Sequence, residues 1–412
     1  MSVLLTDGDQ RVALAVVRSL GRAGIPVVVG HWAKESLAGT SRHCARRVCY
    51  PDPERDPAGF QEFLVREMRT GRYRLLLPIT DVTTELVAER RSELTPHVRV
   101  PIPPLEVVAR ARDKQHVEAL ARQLGVEVPE SYEPRAGESL EAFAARLPYP
   151  VVVKARSSRQ RSDGGWVHGG VHYAATPEEF LRHYRATDAV IPAPVVQERL
   201  EGEGLGVFLL CWGGEVQAAF CHRRLREKPP WGGVSVLRES LPPDRELIHR
   251  SAELLRALGW EGAAMVEYKR DRRDGRAKLM EVNGRFWGSL QLAVDAGMDF
   301  PLLLYRLAMD QPIGALPTYR AGVKSRWVLG DLDHLLTVLR NRGKASGLPA
   351  PTTGRLRACL DFLLIFFDPA VRSEVQRWSD RGPGWYECRQ WLKELFRARQ
   401  PLPEKQVGSR AG

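Results

Sequence analysis

Three polar side chains fall at alternate positions in Leu279-Met280-Glu281-Val282-Asn283-Gly284-Arg285. On a strand, residues two apart share a face, so Glu281, Asn283 and Arg285 look into one site while Met280 and Val282 pack behind it. Upstream, Ala263-Ala264-Met265-Val266-Glu267-Tyr268 is a second apolar run holding one acid. The charged link between the runs contains Asp274-Gly275, which predicts a hairpin with Glu267 beside Glu281. Two carboxylates and an amide oxygen are hard ligands, suited to magnesium held against nucleotide phosphates rather than to zinc or iron. The plainer reading of each acid is a solvated strand position, but both interrupt otherwise apolar strands.

Phosphates need cations nearby. Lys154 ends the β-branched run Val151-Val152-Val153, a place where lysine is rare and seldom buried without a partner. Beyond it, Asp163-Gly164-Gly165-Trp166-Val167-His168-Gly169-Gly170 predicts a flexible hairpin whose amides close over phosphate oxygens. Pro194 to Leu200 reads as a strand running into the acidic, Gly-rich turn Glu201-Gly202-Glu203-Gly204, a segment able to line an adenine pocket and offer a carboxylate to the ribose. The basic run His222 to Lys228, before the turn Pro229 to Gly233, reads either as a receiver of carboxylate or phosphate or as a solvated loop.

The elements that position these residues are legible from periodicity. Val3 to Thr6, Val12 to Ala23 and Ile25 to Gly30 read as a βαβ unit, with Gly24 ending the helix. Tyr73 to Ile79 is another buried strand, and Thr80-Asp81-Val82-Thr83-Thr84 begins a capped helix at the strand end where α/β sheets present ligand crevices. Asp81, Thr83 and Thr84 are therefore read as caps first and substrate contacts second. The first turn lacks Gly-x-Gly-x-x-Gly, which argues against NAD. Val126 to Pro129 is expected to begin a strand, and Leu247 to Leu258 to form a helix ended by Gly259. Gln291 to Gly297, Pro301 to Met309, Asp331 to Arg342 and Pro369 to Trp378 are expected helical, and the last dozen residues disordered.

The 412 residues suggest two to three domains, and 43% hydrophobic with 27% charged residues is ordinary for a soluble protein. The net charge of +11 favours anionic ligands, but no basic block with interleaved aromatics marks a nucleic-acid site. Six cysteines without paired-knuckle spacing read as reduced. The N-terminus has no basic leader and the longest late apolar run, Phe362 to Phe367, is too short to span a bilayer, so a cytoplasmic location without a membrane span is expected.

The ordered set Lys114, Lys154, glycine loop, Gln197-Glu198-Arg199-Leu200, Glu267, Glu281-x-Asn283-x-Arg285 resembles the ATP-grasp superfamily, and within it the carbamoyl-phosphate-synthase-like carboxylate-amine ligases. The resemblance covers roughly residues 1 to 310. It implies an α/β N-terminal pre-ATP-grasp (Rossmann-like) domain over 1–110 and an α+β ATP-grasp fold over 111–310 with its lid at about 150–200. A mainly helical C-terminal extension over 311–412 would follow. It further implies that Lys114 and Lys154 touch the nucleotide phosphates, that Gly164, Gly165, Gly169 and Gly170 form the lid, and that Glu198 and Leu200 hold adenine. Glu267, Glu281 and Asn283 would bind Mg2+, with Mn2+ as an alternative, and Arg285 would stabilise an acyl-phosphate. Many relatives have proline where Gly284 stands, and the usual ribose acid falls near Gly204, leaving Glu203 as the substitute. Trp287 and Ser289 are further candidate substrate contacts.

The function so implied is ATP-dependent joining of a small-molecule carboxylate to an amine, with release of ADP and phosphate. Phosphoryl transfer or carboxylation on the same fold, and a non-catalytic ATP-binding role, are the alternatives. A homodimer is compatible with all three.

Overall fold

The computed structural model describes residues 1–162, 165–230, 232–315, 318–340 and 354–397. The chain begins with a parallel sheet of β1 (Ser2–Leu5), β2 (Val27–His31), β3 (Cys44–Cys49) and β4 (Tyr73–Leu77) in the order β3-β2-β1-β4. Alternate residues pack to opposite sides. Val3, Leu5, Val27 and Val29 meet the helix Arg11–Arg22, while Leu4, Val28 and Leu76 meet Phe60, Leu64 and Leu86 from the helices Pro57–Met68 and Asp81–Glu89. Burial on both faces is why β1 and β2 read as apolar runs, whereas the edge strand β3 is largely exposed and carries Arg46 and Arg47.

Two helices, Leu105–Arg112 and Lys114–Gln123, lead into a small antiparallel sheet. Its strands are β5 (Ser131–Tyr132), β6 (Val151–Lys154), β9 (Val171–Ala174) and β10 (Val195–Glu198), ordered β5-β10-β6-β9. The hairpin of β7 (Arg159–Ser162) and β8 (Gly165–His168) stands between β6 and β9 in sequence. Phe143 and Phe180, from helices Leu140–Arg146 and Pro177–Asp188, cover this sheet edge to face at 5.6 Å. The strand expected at Val126 to Pro129 does not form. Pro129 has no N–H to give a ladder, and the Glu127 carbonyl takes one bond, from the Leu279 amide.

The largest sheet has seven strands: β11 (Gly202–Trp212), β12 (Glu215–Lys228), β13 (Val234–Leu241), β14 (Gly262–Asp271), β15 (Ala277–Asn283), β16 (Lys324–Arg326) and β17 (Val371–Ser373). Their order is β15-β14-β11-β12-β13-β16-β17. Leu205, Val207, Leu209 and Val266 pack against Leu254, Leu255 and Leu258 of the helix Arg245–Leu258, which Gly259 ends at φ +72°. On the other face, Phe208, Phe220 and Met265 join Trp287, Leu290 and the N-terminal helix Arg11–Arg22 in one core. The run His222 to Lys228 is not a loop: it is the second half of β12, paired with β13.

The C-terminal part is mostly helical, with Val328–Arg340, Arg355–Leu364 and Arg381–Arg397. Pro369 to Trp378, expected helical, instead holds β17, which runs parallel to β16 and extends the large sheet. Pro369 would be tolerated at a helix start, but Val371 suits a strand and pairs with Lys324 of β16, so tertiary pairing wins over the helical pattern. The following turn reaches back to the N-terminal helix. The buried Arg18 guanidinium meets Asp380 at 2.8 Å and donates to the Glu374 and Val375 carbonyls. The expected disordered tail lies outside the described residues.

Candidate active site

The β14–β15 hairpin forms as the Asp-Gly turn foretold, and its register sets Glu267 directly opposite Glu281. Like charges in that relation repel, and the chain spends cations on them. Arg224 reaches Glu267 at 2.5 Å from β12, crossing β11 where Gly204 stands. A Cβ at Gly204 would lie 2.9 Å from the Arg224 Cδ, so glycine keeps that passage open. Lys114 Nζ lies 3.7 Å from Glu281 Oε2, and the Asn283 amide donates to Glu281 Oε1 at 3.0 Å.

These surroundings split the two acids. Burial, opposed by Arg224 and reinforced by Glu281, lifts the Glu267 carboxyl above its ordinary range. Burial also pushes Glu281 up, but Lys114, the Asn283 amide and Lys154 outweigh it and hold the carboxyl low. Opposed glutamates are an environment that a divalent cation relieves, and with the Asn283 oxygen they form a hard-oxygen donor set that fits magnesium. Among the described residues no group of three or more His, Cys, Asp or Glu gathers, so this pair and amide would leave further positions to phosphate or water oxygens.

Lys154, at the end of β6, is buried, and its ammonium makes no hydrogen bond or ion pair with the described residues. Burial, aided by the neighbouring Lys114, lowers its pKa to about 8. A buried cation without a counter-ion is costly, and an anion is what would relieve it. Lys114 and Lys154 line one pocket with Glu118, Gln197, Leu279 and Met280. Lys114 also lines the adjoining pocket with Glu281, Asn283, Arg112 and Asp81. Asp113 fixes the start of the Lys114 helix by capping Gln115 and His116 while pairing with Arg156 at 2.5 Å.

Arg285 stands just past β15 and forms a two-pronged ion pair with Asp81 of the N-terminal domain, at 2.8 and 3.0 Å. It also donates to the Asn283 oxygen at 3.2 Å. Asp81 is the first residue of its helix, while Thr80 does the capping through a reciprocal pair with Thr83. Thr83 is buried on Asp7, and neither it nor Thr84 faces the pockets.

The remaining predicted residues are placed as follows. Glu198 ends β10 with its carboxylate held by Lys278 at 2.8 Å and by Arg273, so that side chain is engaged away from the lysine pocket. Leu200 is buried beside it in sequence, and Glu203 pairs with Arg223 at 3.3 Å. Gly165 lies in β8; Gly169 follows it, where a Cβ would press to 2.3 Å from the Ser157 carbonyl. Gly170 precedes β9, and Gly164 lies outside the described residues. Trp287 packs on Phe208 with centroids 4.2 Å apart, and Ser289 is buried against His222; both belong to the core behind the site.

Sequence reading passed over Glu118. Glu118 sits one helical turn after Lys114 and binds both Gln197 and Ser131, a spacing that marks the shared face. Arg224 lies in the basic run read either as a receiver of carboxylate or phosphate or as a solvated loop; it is a strand residue, and the carboxylate it meets is that of Glu267.

The fold and part of the sequence have known counterparts. Residues 191–330 match the model of a family described as ATP-grasp in the biosynthetic pathway with Ter operon. Among solved structures, the chain resembles biotin carboxylase from Campylobacter jejuni at 13% identity and TM-score 0.62, over 78% of this chain and 74% of that one. It resembles L-amino acid ligase from Bacillus licheniformis at 17% identity and TM-score 0.59, over 79% and 78%. It also resembles the biotin carboxylase domain of 2-oxoglutarate carboxylase from Hydrogenobacter thermophilus, a dimer crystallised with MgADP and bicarbonate, at 15% identity and TM-score 0.61 over 78% and 73%. The chain has the ATP-grasp fold, and residues 191–330 match an ATP-grasp family in sequence. No helix among the described residues is long and apolar enough to cross a membrane.

Proposed function

We propose that the protein is an ATP-dependent ligase of the carboxylate-amine type. It would activate a small-molecule carboxylate as an acyl-phosphate and join it to an amine, releasing ADP and phosphate. The observation that carries this reading is a pair of cations beside an acid set in adjoining pockets: the buried Lys154, without a counter-ion among the described residues, lies with Lys114 in one, and Lys114 meets Glu281 and Asn283 in the other, with Glu267 opposite Glu281 on the next strand.

Lys114 and Lys154 would receive the β- and γ-phosphate oxygens, neutralising charge that spreads over them during transfer. Adenine would lie near Leu200 and the main chain of Glu198, with Glu203 toward the ribose. Gly164, Gly165, Gly169 and Gly170 would give the β7–β8 hairpin the freedom to cover the phosphates. Magnesium, held by Glu267, Glu281 and Asn283, would supply Lewis-acid neutralisation of the phosphates when bound.

The substrate carboxylate oxygen forms a bond to the γ-phosphorus as the bond to ADP breaks. The amine nitrogen then attacks the acyl carbon and phosphate leaves with the former carboxylate oxygen. Arg285 holds the carboxylate in line and stabilises the oxyanion of the second step. The test is magnesium-dependent ADP and phosphate release from ATP with pools of amino acids and other carboxylates, using Glu281→Ala as control. Stimulation by a carboxylate with an amine supports the ligase, whereas tight ATP binding with no stimulated turnover favours the non-catalytic role.

A further inference from the structure

The ion pair between Asp81 and Arg285 stands beside Asn283, and Asp81 lines the pocket in which the proposed ligase would activate its substrate. Two guanidinium nitrogens meet two carboxylate oxygens at 2.8 and 3.0 Å, the fork geometry with which arginine takes any carboxylate. Asp81 lines the pocket that also contains Lys114, Ser158, Glu281 and Asn283. Each member of the pair keeps 22% of its side-chain surface exposed, so neither is sealed off. Its charged neighbours are matched elsewhere: Arg112 with Glu85, Arg159 with Glu54, and Lys114 with Glu281. Opening the pair therefore leaves Arg285 with only the neutral Asn283 and Phe286 oxygens and Asp81 without its ion-pair partner, a positive and a negative group that a ligand can satisfy.

The chemistry of the ligand follows. A plain carboxylate would take Arg285 and leave Asp81 ionised, mostly buried and without a counter-ion, and a plain amine would leave Arg285 without one; both outcomes are penalised. A zwitterion satisfies both ends at once. We propose that the Asp81–Arg285 pair is the recognition element for a zwitterionic amino acid, whose carboxylate replaces Asp81 on Arg285 while its ammonium is taken by Asp81. This rests on the ligase reading, because the carboxylate so placed is the one that is phosphorylated. Selectivity for the amino group then comes from the N-terminal domain, outside the sheet that holds the metal ligands.

The experiment uses the full chain with magnesium and two readouts on the twenty L-amino acids, each beside its des-amino acid, such as alanine beside propionate. Thermal shift with a non-hydrolysable ATP analogue reads binding. Trapping with hydroxylamine, which displaces phosphate from an acyl-phosphate to give a hydroxamate, reads activation. At least one amino acid is expected to act in the wild type at a concentration at least tenfold below its des-amino partner. Asp81→Asn is expected to erase that ratio and Asp81→Glu to restore part of it. Amino-acid binding with the ratio but without hydroxamate supports the recognition element and removes the ligase reading. Hydroxamate from des-amino acids as readily as from amino acids keeps the ligase and overturns the recognition element. A panel in which no amino acid outperforms its partner in either readout overturns it as well, whatever the variants do.

Discussion

Glu267 and Glu281 face each other across adjacent strands, and each is compensated by a cation from a different element, Arg224 and Lys114. The pair is thus held in readiness at an electrostatic cost that a divalent cation would relieve. Glu281→Ala is expected to lower magnesium-dependent ADP release by on the order of 100-fold or more, since even partners of metal ligands are worth 10–100-fold. Its unfolding midpoint should stay near wild type, because a like-charge contact is lost along with the Lys114 ion pair. Turnover of the variant at the wild-type rate would remove Glu281 from the metal set.

Lys154 gives the site a pH signature. With its pKa lowered to about 8 by burial, the side chain loses its proton as pH rises through that value, and an anionic nucleotide then finds no charge there. ATP affinity is expected to weaken above pH 8, by at most about tenfold per pH unit. Lys154→Met should bind ATP about 30-fold more weakly at pH 7, the equivalent of about 2 kcal/mol for one charge-assisted hydrogen bond, and show a flatter profile. Calorimetric titration at pH 7 to 9.5 measures both.

His222 predicts an acid-side loss of stability. Burial, with Arg224 and Arg238 nearby, pushes its pKa well below the ordinary value, so the folded state keeps it neutral. The unfolded chain binds a proton near pH 6.5 that the folded chain does not. Stability from this group is therefore complete above that pH and falls as pH drops, by up to about 1.4 kcal/mol per unit. Urea midpoints between pH 7 and 5 should fall less steeply for His222→Asn.

Arg18 and Asp380 form a buried bridge between the N-terminal helix and the C-terminal turn, with Ser41 and the Arg42 amide also on Asp380. Asp380→Ala leaves a buried guanidinium unpaired, and breaking such a pair costs about 3–5 kcal/mol. A thermal melt of the variant should show that loss as a clear fall in Tm, with Asp380→Asn intermediate. A melt unchanged from wild type would mean that the turn carries no weight in the fold.

How much of this was legible depended on the range of the interactions. The βαβ start, the helix ended by Gly259 and the Glu267–Glu281 hairpin are specified by neighbours in sequence, through period, caps and turn residues, and each forms where expected. Val126 to Pro129 and Pro369 to Trp378 were misread because their partners lie far away: Leu279 for one, β16 for the other. The same holds within the site. The spacing of Glu281, Asn283 and Arg285 announces itself, but Arg224 reaches Glu267 only because β12 and β14 flank β11, and Asp81 meets Arg285 across 204 residues. Alternation in one strand carries no information on which strands are neighbours.

The return of the chain from β17 to the N-terminal helix has a consequence for biosynthesis. Arg18 leaves the ribosome more than three hundred residues before Asp380, Glu374 and Val375, the groups that receive its guanidinium. Until they emerge, the first domain carries a charge with no interior home, and the seven-stranded sheet lacks its last strand. A nascent chain stalled before residue 371 would thus stay incompletely closed and open to proteolysis, which makes the final shape a report that translation has run past that point.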